Sequence, residues 1–272
     1  EVVHTAGPVP TGFELVAEYV TDIDNSMPAA KNPEMETICF TDTNGREMLK
    51  RETNVRDWPH FNQTEPVAGN YYPIVSAISI ETTDIKNSKN AASLALMTDA
   101  SEGGGSIRKG QIEIMVHRTS KSDDARGVGE PMDEREFITP YLKGYPEGIH
   151  YGEKLRSTGN HWLVVGGEAG DFSWKKHQDE LYAKPPALFA TATEGCEEQV
   201  KKDAKNEVSF LPSGFELPPE LHLQSLDLFT KELPFVLKHS GEEKLAEEFK
   251  GKNTRSILVR VSHQYGEKEA TL

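Results

Sequence analysis

Apolar and polar residues alternate with a period of two through most of the readable parts of this chain. Phe13, Leu15, Ala17 and Tyr19 alternate with Glu14, Val16, Glu18 and Val20, and Ile74, Ser76, Ile78 and Ile80 repeat the pattern. Ile112, Ile114 and Val116 stand against Gln111, Glu113 and Met115, and Ile257, Val259, Val261 and His263 oppose Leu258, Arg260, Ser262 and Gln264. Successive strand side chains point to opposite faces, so such runs pack one face and solvate the other, as antiparallel sheets do. Turn-rich stretches such as Thr43-Asn44-Gly45 and Ser101–Gly105 separate them. One surface helix is predicted at Glu242–Lys250, where Ser240 and Glu243 make a capping-box pattern, Gly251 offers a stop, and Leu245 and Phe249 share a face. The expected fold is all-β: an antiparallel β-sandwich of super-sandwich type, with long loops and one or two short helices.

Between the runs, Thr139–Thr158 combines Gly, Pro and aromatics with little periodicity and predicts a long loop, and the charged stretch Glu194–Glu207 predicts an exposed connection. A chain of 272 residues can bury a sizeable core as one all-β domain. A finer division would set a main sandwich over 1–215 beside a terminal β subdomain over 216–272. The formal charge of −14 argues against nucleic acid and anionic membrane surfaces, and no apolar run approaches the roughly 20 residues of a membrane helix. The opening EVVHTAGPVP lacks the basic and apolar regions of a signal peptide, so the chain reads as a piece of a longer precursor. Cys39 and Cys196 fit no disulfide framework; they could pair with each other or stand free. Asn62-Gln63-Thr64 is an N-glycosylation sequon, with Asn62 as acceptor if the chain takes the secretory route.

Most signatures of chemistry are absent. The nine histidines give no HExxH pair and no other strong metal spacing, so no metal site is expected in this chain. Asp22 and Asp24 begin a calcium-loop pattern whose glycine and distal Glu do not follow. Gly103–Gly110 resembles a phosphate loop only superficially, because Gln111 stands where Lys is required, and a tight glycine turn is the better reading. There is no GxSxG elbow.

Two clusters remain. Asp123, Asp124 and Arg126 lie beside Gly127 and Gly129, where Arg can grip a carboxylate through two parallel hydrogen bonds while glycine permits a backbone reversal. Adjacent Asp side chains on an extended segment diverge, which favours a structural loop near a pocket over an acid–base pair. In Asn70-Tyr71-Tyr72-Pro73, consecutive tyrosines at a strand start present one ring inward and one outward. Tyrosine offers a flat face and a hydroxyl to a sugar, although packed strand aromatics would look the same.

Together these clusters resemble a known family. TDTNGREMLKR (Thr41–Arg51), NQTEPVAGNYYP (Asn62–Pro73), LMTDASEGGGSIRKGQIEIMVHR (Leu96–Arg118) and DDARGVGEP (Asp123–Pro131) are similar, in order and spacing, to the C-terminal half of family 38 α-mannosidases of the lysosomal and vacuolar branch. HTAGPVP (His4–Pro10), GNHWLVV (Gly159–Val165), LPPELHLQSL (Leu217–Leu226) and RVSHQY (Arg260–Tyr265) carry the similarity more thinly. The resemblance implies a zinc-dependent retaining enzyme that removes α-linked mannose from N-glycans in a lysosome, vacuole or other acidic secretory compartment. An N-terminal α/β catalytic chain or domain would hold the zinc, the nucleophile and the acid. This chain would be an inactive partner on its own, with no cofactor and no catalytic residue. It would line the pocket through Tyr72, hydrogen-bonded to a mannose hydroxyl, with Asn70 fixing the turn. The alternative is a free-standing carbohydrate-binding or structural β-sandwich module.

Overall fold

The computed structural model describes residues 1–42, 44–56, 58, 62–83, 91–122, 131–138, 150–166, 174–182, 184, 217–218, 220–229, 241, 244 and 256–265. The chain divides into two units, Glu1–Tyr182 and Ala183–Leu272. The first holds β1 (Val2–Ala6), β2 (Phe13–Val20), β3 (Ile38–Asp42), β4 (Met48–Glu52), β5 (Tyr72–Ile74), β6 (Ala77–Glu81), β7 (Ser93–Thr98) and β8 (Glu102–Gly105). It continues with β9 (Gln111–Thr119), β10 (Arg135–Ile138), β11 (His150–Lys154), β12 (Ser157–Gly166) and a helix, α1 (Trp174–Tyr182). The second contains β13 (Leu221–Phe229) and β14 (Ser256–His263), paired antiparallel with a register shift between Leu223 and Ser225.

Every ladder among the described residues is antiparallel. A six-stranded sheet runs β1-β12-β7-β6-β3-β4, a four-stranded sheet runs β2-β9-β8-β5, and β10 pairs with β11. The two larger sheets face each other across a core of Cys39, Ile74, Ile78, Ile80, Leu94, Leu96, Ile112 and Ile114. Ile74, Ile78, Ile80, Ile112 and Ile114 are wholly buried, each stabilising the fold by about 1.5–3 kcal/mol relative to exposure. This is the all-β sandwich that the alternation predicts.

The opposite faces of β6 and β7 are also covered. Ala77, Ala95 and Met97, with Met48, pack against Trp174 of α1. Lys175, itself buried, donates from Nζ to the Arg46 carbonyl at 2.8 Å, and Arg46 pairs with Asp179 at 2.6 Å. This helix escapes the sequence because WKKHQDELY buries one aromatic and two polar residues, Lys175 and Gln178, so it has no continuous apolar stripe. The predicted helix Glu242–Lys250 lies, Lys244 apart, outside the described residues. Among the described residues no helix is long and apolar enough to cross a membrane.

Three expectations need correction. The run Ile74–Ile80 is two strands: β5 belongs to the four-stranded sheet and β6 to the six-stranded one. The chain crosses between them at Val75-Ser76, where the buried Asp42 carboxylate accepts the backbone N–H groups of Val75, Ser76 and Ala77 at 3.0 Å and the Ser76 hydroxyl at 2.7 Å. The stretch Thr139–Thr158 is not wholly a loop: β11 occupies His150–Lys154 and β12 starts at Ser157. The glycine tract is strand and not turn. Gly103–Gly105 sits in β8, and the turn falls at Arg108–Gly110, where the Gln111 N–H donates to the Arg108 carbonyl and Gly110 has φ 71°. Cys39 is a free, buried thiol, pushed up to about 12 by that burial. Cys196 lies outside the described residues, as does the Glu194–Glu207 stretch.

Candidate functional site

Tyr72 opens β5, and its place is fixed from below by Asn70. Asn70 ends a short 3-10 turn, Ala68–Asn70, and is buried. Its amide nitrogen donates to Asn54 Oδ1 and the Pro66 carbonyl, both at 2.8 Å, while its Oδ1 accepts the Asn54 N–H at 2.9 Å. Asn54 takes a left-handed backbone, φ 61°, a conformation asparagine tolerates better than most residues. Asn70 therefore ties the exit of β4 to the entrance of β5.

The two tyrosines diverge as a strand requires. Tyr71 donates its hydroxyl to Glu113 Oε2 at 2.6 Å, and burial, then this bond, raise its pKa above the ordinary phenol value. Tyr72 turns instead to a cleft of about 340 Å³ lined by Lys50, Arg51, Glu52, Val55 and Arg56. The guanidinium carbons of Arg51 and Arg56 lie 4.7 and 5.2 Å from its ring centroid, within cation–π range. Burial raises the Tyr72 hydroxyl's pKa, and the nearby Arg56 and Arg51 charges hold it down. Arg51 is steadied by Thr41 Oγ1, 3.0 Å from Nε, and Arg56 by the carbonyls of Val55 and Gly69. The two guanidiniums lie against the ring and Arg56 also hydrogen-bonds the Tyr72 hydroxyl, so the phenol lines the cleft as part of a cationic wall.

The cleft does not suit a zinc ion. Three of its side chains are cationic, and Glu52 is already paired with Lys50 at 2.5 Å. Asp123, Asp124 and Arg126 lie outside the described residues. Asn62 of the sequon is exposed. Arg51 and Arg56 were not singled out from sequence: Arg51 sits in a β4 segment with mixed polarity, and Arg56 reaches Tyr72 only because Asn70 folds the intervening segment back.

A second constellation lies between the sheets. His161 of β12 is wholly buried; its Nδ1 lies 2.7 Å from the Tyr19 hydroxyl and its Nε2 3.1 Å from Glu102 Oε2. The ring of His4, on β1, lies tilted by 48° against that of His161 with centroids 4.7 Å apart, and both its ring nitrogens are sequestered without a hydrogen-bond partner. Such unsatisfied groups cost about 1–3 kcal/mol each. Burial, then the Glu102 charge, raise the pKa of Tyr19. Spacing could not reveal this group, since positions 4, 19, 102 and 161 come from four strands.

Residues 26–126, which include Asn70, Tyr72 and every named residue of their cleft, match the family model described as the glycosyl hydrolases family 38 C-terminal domain. The chain carries a family 38 C-terminal domain. It is 34% identical over 229 residues to "Alpha-mannosidase" of Canavalia ensiformis, an alignment covering 84% of this chain and 21% of that protein. "Lysosomal alpha-mannosidase" of Bos taurus is 32% identical over 226 residues, 83% of this chain and 20% of the relative. The Cavia porcellus protein of the same description is 41% identical over 150 residues, 55% of this chain and 13% of the relative. The chain thus spans about a fifth of the length of the first two relatives.

Proposed function

We propose that this chain is the non-catalytic β portion of a zinc-dependent retaining α-mannosidase that hydrolyses terminal α-linked mannose of N-glycans, and that the Tyr72 cleft forms part of its pocket wall. The observation that carries this proposal is the placement of Tyr72: half-buried, lining a cleft, on a turn that Asn70 holds through three hydrogen bonds. A preorganised phenol of this kind can donate to or accept from a sugar hydroxyl without reordering its surroundings. The family relationship supports the reaction class, and the relatives' greater length, of which this chain matches only 21% and 20%, supports a catalytic partner, chain or domain, that supplies zinc, nucleophile and acid. No step of the reaction is assigned to a metal in the Tyr72 cleft, whose cationic lining does not fit one.

The proposed compartment is a lysosome or vacuole, in line with the lysosomal relatives, and the exposed Asn62 is the proposed glycan acceptor. Tyr72→Phe removes one hydroxyl and keeps the ring beneath the two arginines. In the assembled enzyme it should lower kcat/KM roughly 3- to 10-fold, the worth of one hydrogen bond, with the melting temperature nearly unchanged. A kcat/KM within twofold of the parent would remove Tyr72 from the pocket wall.

A further inference from the structure

We propose that His4, Glu102 and His161 form a binding site for one divalent transition-metal ion of the zinc type. The three side chains each offer one ligand atom, and these atoms lie within 4.8 Å of one another. A tetrahedral zinc with bonds of about 2.0–2.1 Å places its donors about 3.3–3.4 Å apart. His161 Nε2 and Glu102 Oε2, at 3.1 Å, already stand at nearly that edge length, so only His4 has to close in. Two imidazoles and one carboxylate are a common donor set for zinc and leave a fourth position for water.

What surrounds the three ligands fits the same purpose. A metal on His161 Nε2 requires the ring proton on Nδ1, and the Tyr19 oxygen lies 2.7 Å away to accept it. Without metal, the same imidazole donates from Nε2 to Glu102 and accepts the Tyr19 hydroxyl proton, so uptake needs a tautomer change and no net loss of a proton from histidine. His4 supplies the second, independent observation: both its ring nitrogens are enclosed and unpartnered, although the ring is held against His161. A packing histidine would ordinarily satisfy at least one nitrogen.

Space for the His4 ring is provided by Gly159, its partner in the β1–β12 ladder, where a Cβ would come within 2.8 Å of His4 Cε1. The segments HTAGPVP and GNHWLVV, which the Tyr72 cleft leaves without a role, thus converge on this one place. A cleft of about 340 Å³ adjoins the site at Glu102, shared with Asp99, Met115, His117, Ser157 and Thr158. Asp99 is held there by the Asn160 backbone and side-chain nitrogens, at 3.0 and 2.7 Å, so the cleft carries two carboxylates beside one cation, Arg118, which pairs with Glu14 at 3.8 Å.

The test uses the full chain, without a polyhistidine tag, stripped with a chelator and titrated with zinc chloride by calorimetry. His4→Gln and Glu102→Gln are titrated beside it after circular dichroism shows that they are folded. The expected result is one equivalent bound by the parent, a rise in its melting temperature, and at least a tenfold loss of affinity in each variant. No saturable uptake by the parent, or parent and variants titrating alike, overturns the site. Should both variants unfold, X-ray absorption of the cobalt-loaded parent decides. Two imidazoles with a carboxylate in the metal's shell sustain the proposal, and any other shell overturns it.

Discussion

Replacing Asp42 with alanine is expected to destabilise the first unit by about 4 kcal/mol. The carboxylate is 1% exposed and is the common acceptor for the N–H groups of Val75, Ser76 and Ala77 and for the Ser76 hydroxyl. Those three residues are where the chain leaves the four-stranded sheet for the six-stranded one, a crossing in which no ladder partner takes up their N–H groups. Each donor left without an acceptor costs about 1–3 kcal/mol, and relaxation recovers part of the sum. Ser76 also receives Gln178 of α1, so the helix should loosen together with the crossing. Asp42→Asn retains one acceptor oxygen and should lose roughly half as much. Urea denaturation followed by tryptophan fluorescence reads the effect through the midpoint at constant slope. A loss below about 1 kcal/mol for the alanine variant would mean that the crossing finds other acceptors.

Gly105→Ala should cost about 3 kcal/mol, and Gly103→Ala, two residues earlier on the same strand, should stay within about 0.5 kcal/mol. A Cβ on Gly105 would lie 2.3 Å from the Asn70 carbonyl oxygen and 3.9 Å from Tyr71 Cα, whereas one on Gly103 meets nothing within 4 Å. The Asn70 carbonyl belongs to the turn that seats Tyr72 and cannot swing away as a flexible side chain could. Gly105→Ala should therefore depress kcat/KM of the assembled enzyme along with stability, and Gly103→Ala neither. Equal effects at the two positions would show that β8 and β5 do not approach as closely as described.

The period-two runs mark β2, β9 and β14 as strands, but of their predicted inner faces only that of β9 is wholly buried at Ile112 and Ile114. Phe13 and Leu15 of β2 and Val259 and Val261 of β14 are exposed, and β2 shifts register between Leu15 and Val16. β5 and β6 share one alternation and still separate, since Ile74, Ile78 and Ile80 all reach the same core from two different sheets. Nothing in that run marks the break; the residue that causes it, Asp42, lies more than thirty positions earlier. α1 hides for a different reason, because Lys175 and Gln178 are buried through hydrogen bonds that hydropathy cannot register. The candidate site was legible in part. Asn70 and Tyr72 stand out as neighbours in a turn-and-strand motif, but Arg51 and Arg56 join them only through the fold. The His4–Glu102–His161 group was not legible at all, being assembled by the β1–β12 ladder and the approach of β8.

The central claim is that this chain shapes a pocket wall and that the reacting groups belong to other polypeptide. It is tested most directly by assaying the purified, folded 272-residue chain alone on a chromogenic α-mannoside, with zinc supplied. No turnover above the uncatalysed rate is expected, with activity gained when the catalytic partner is added. Turnover by the chain alone, proportional to its concentration and free of any larger contaminant, would contradict it.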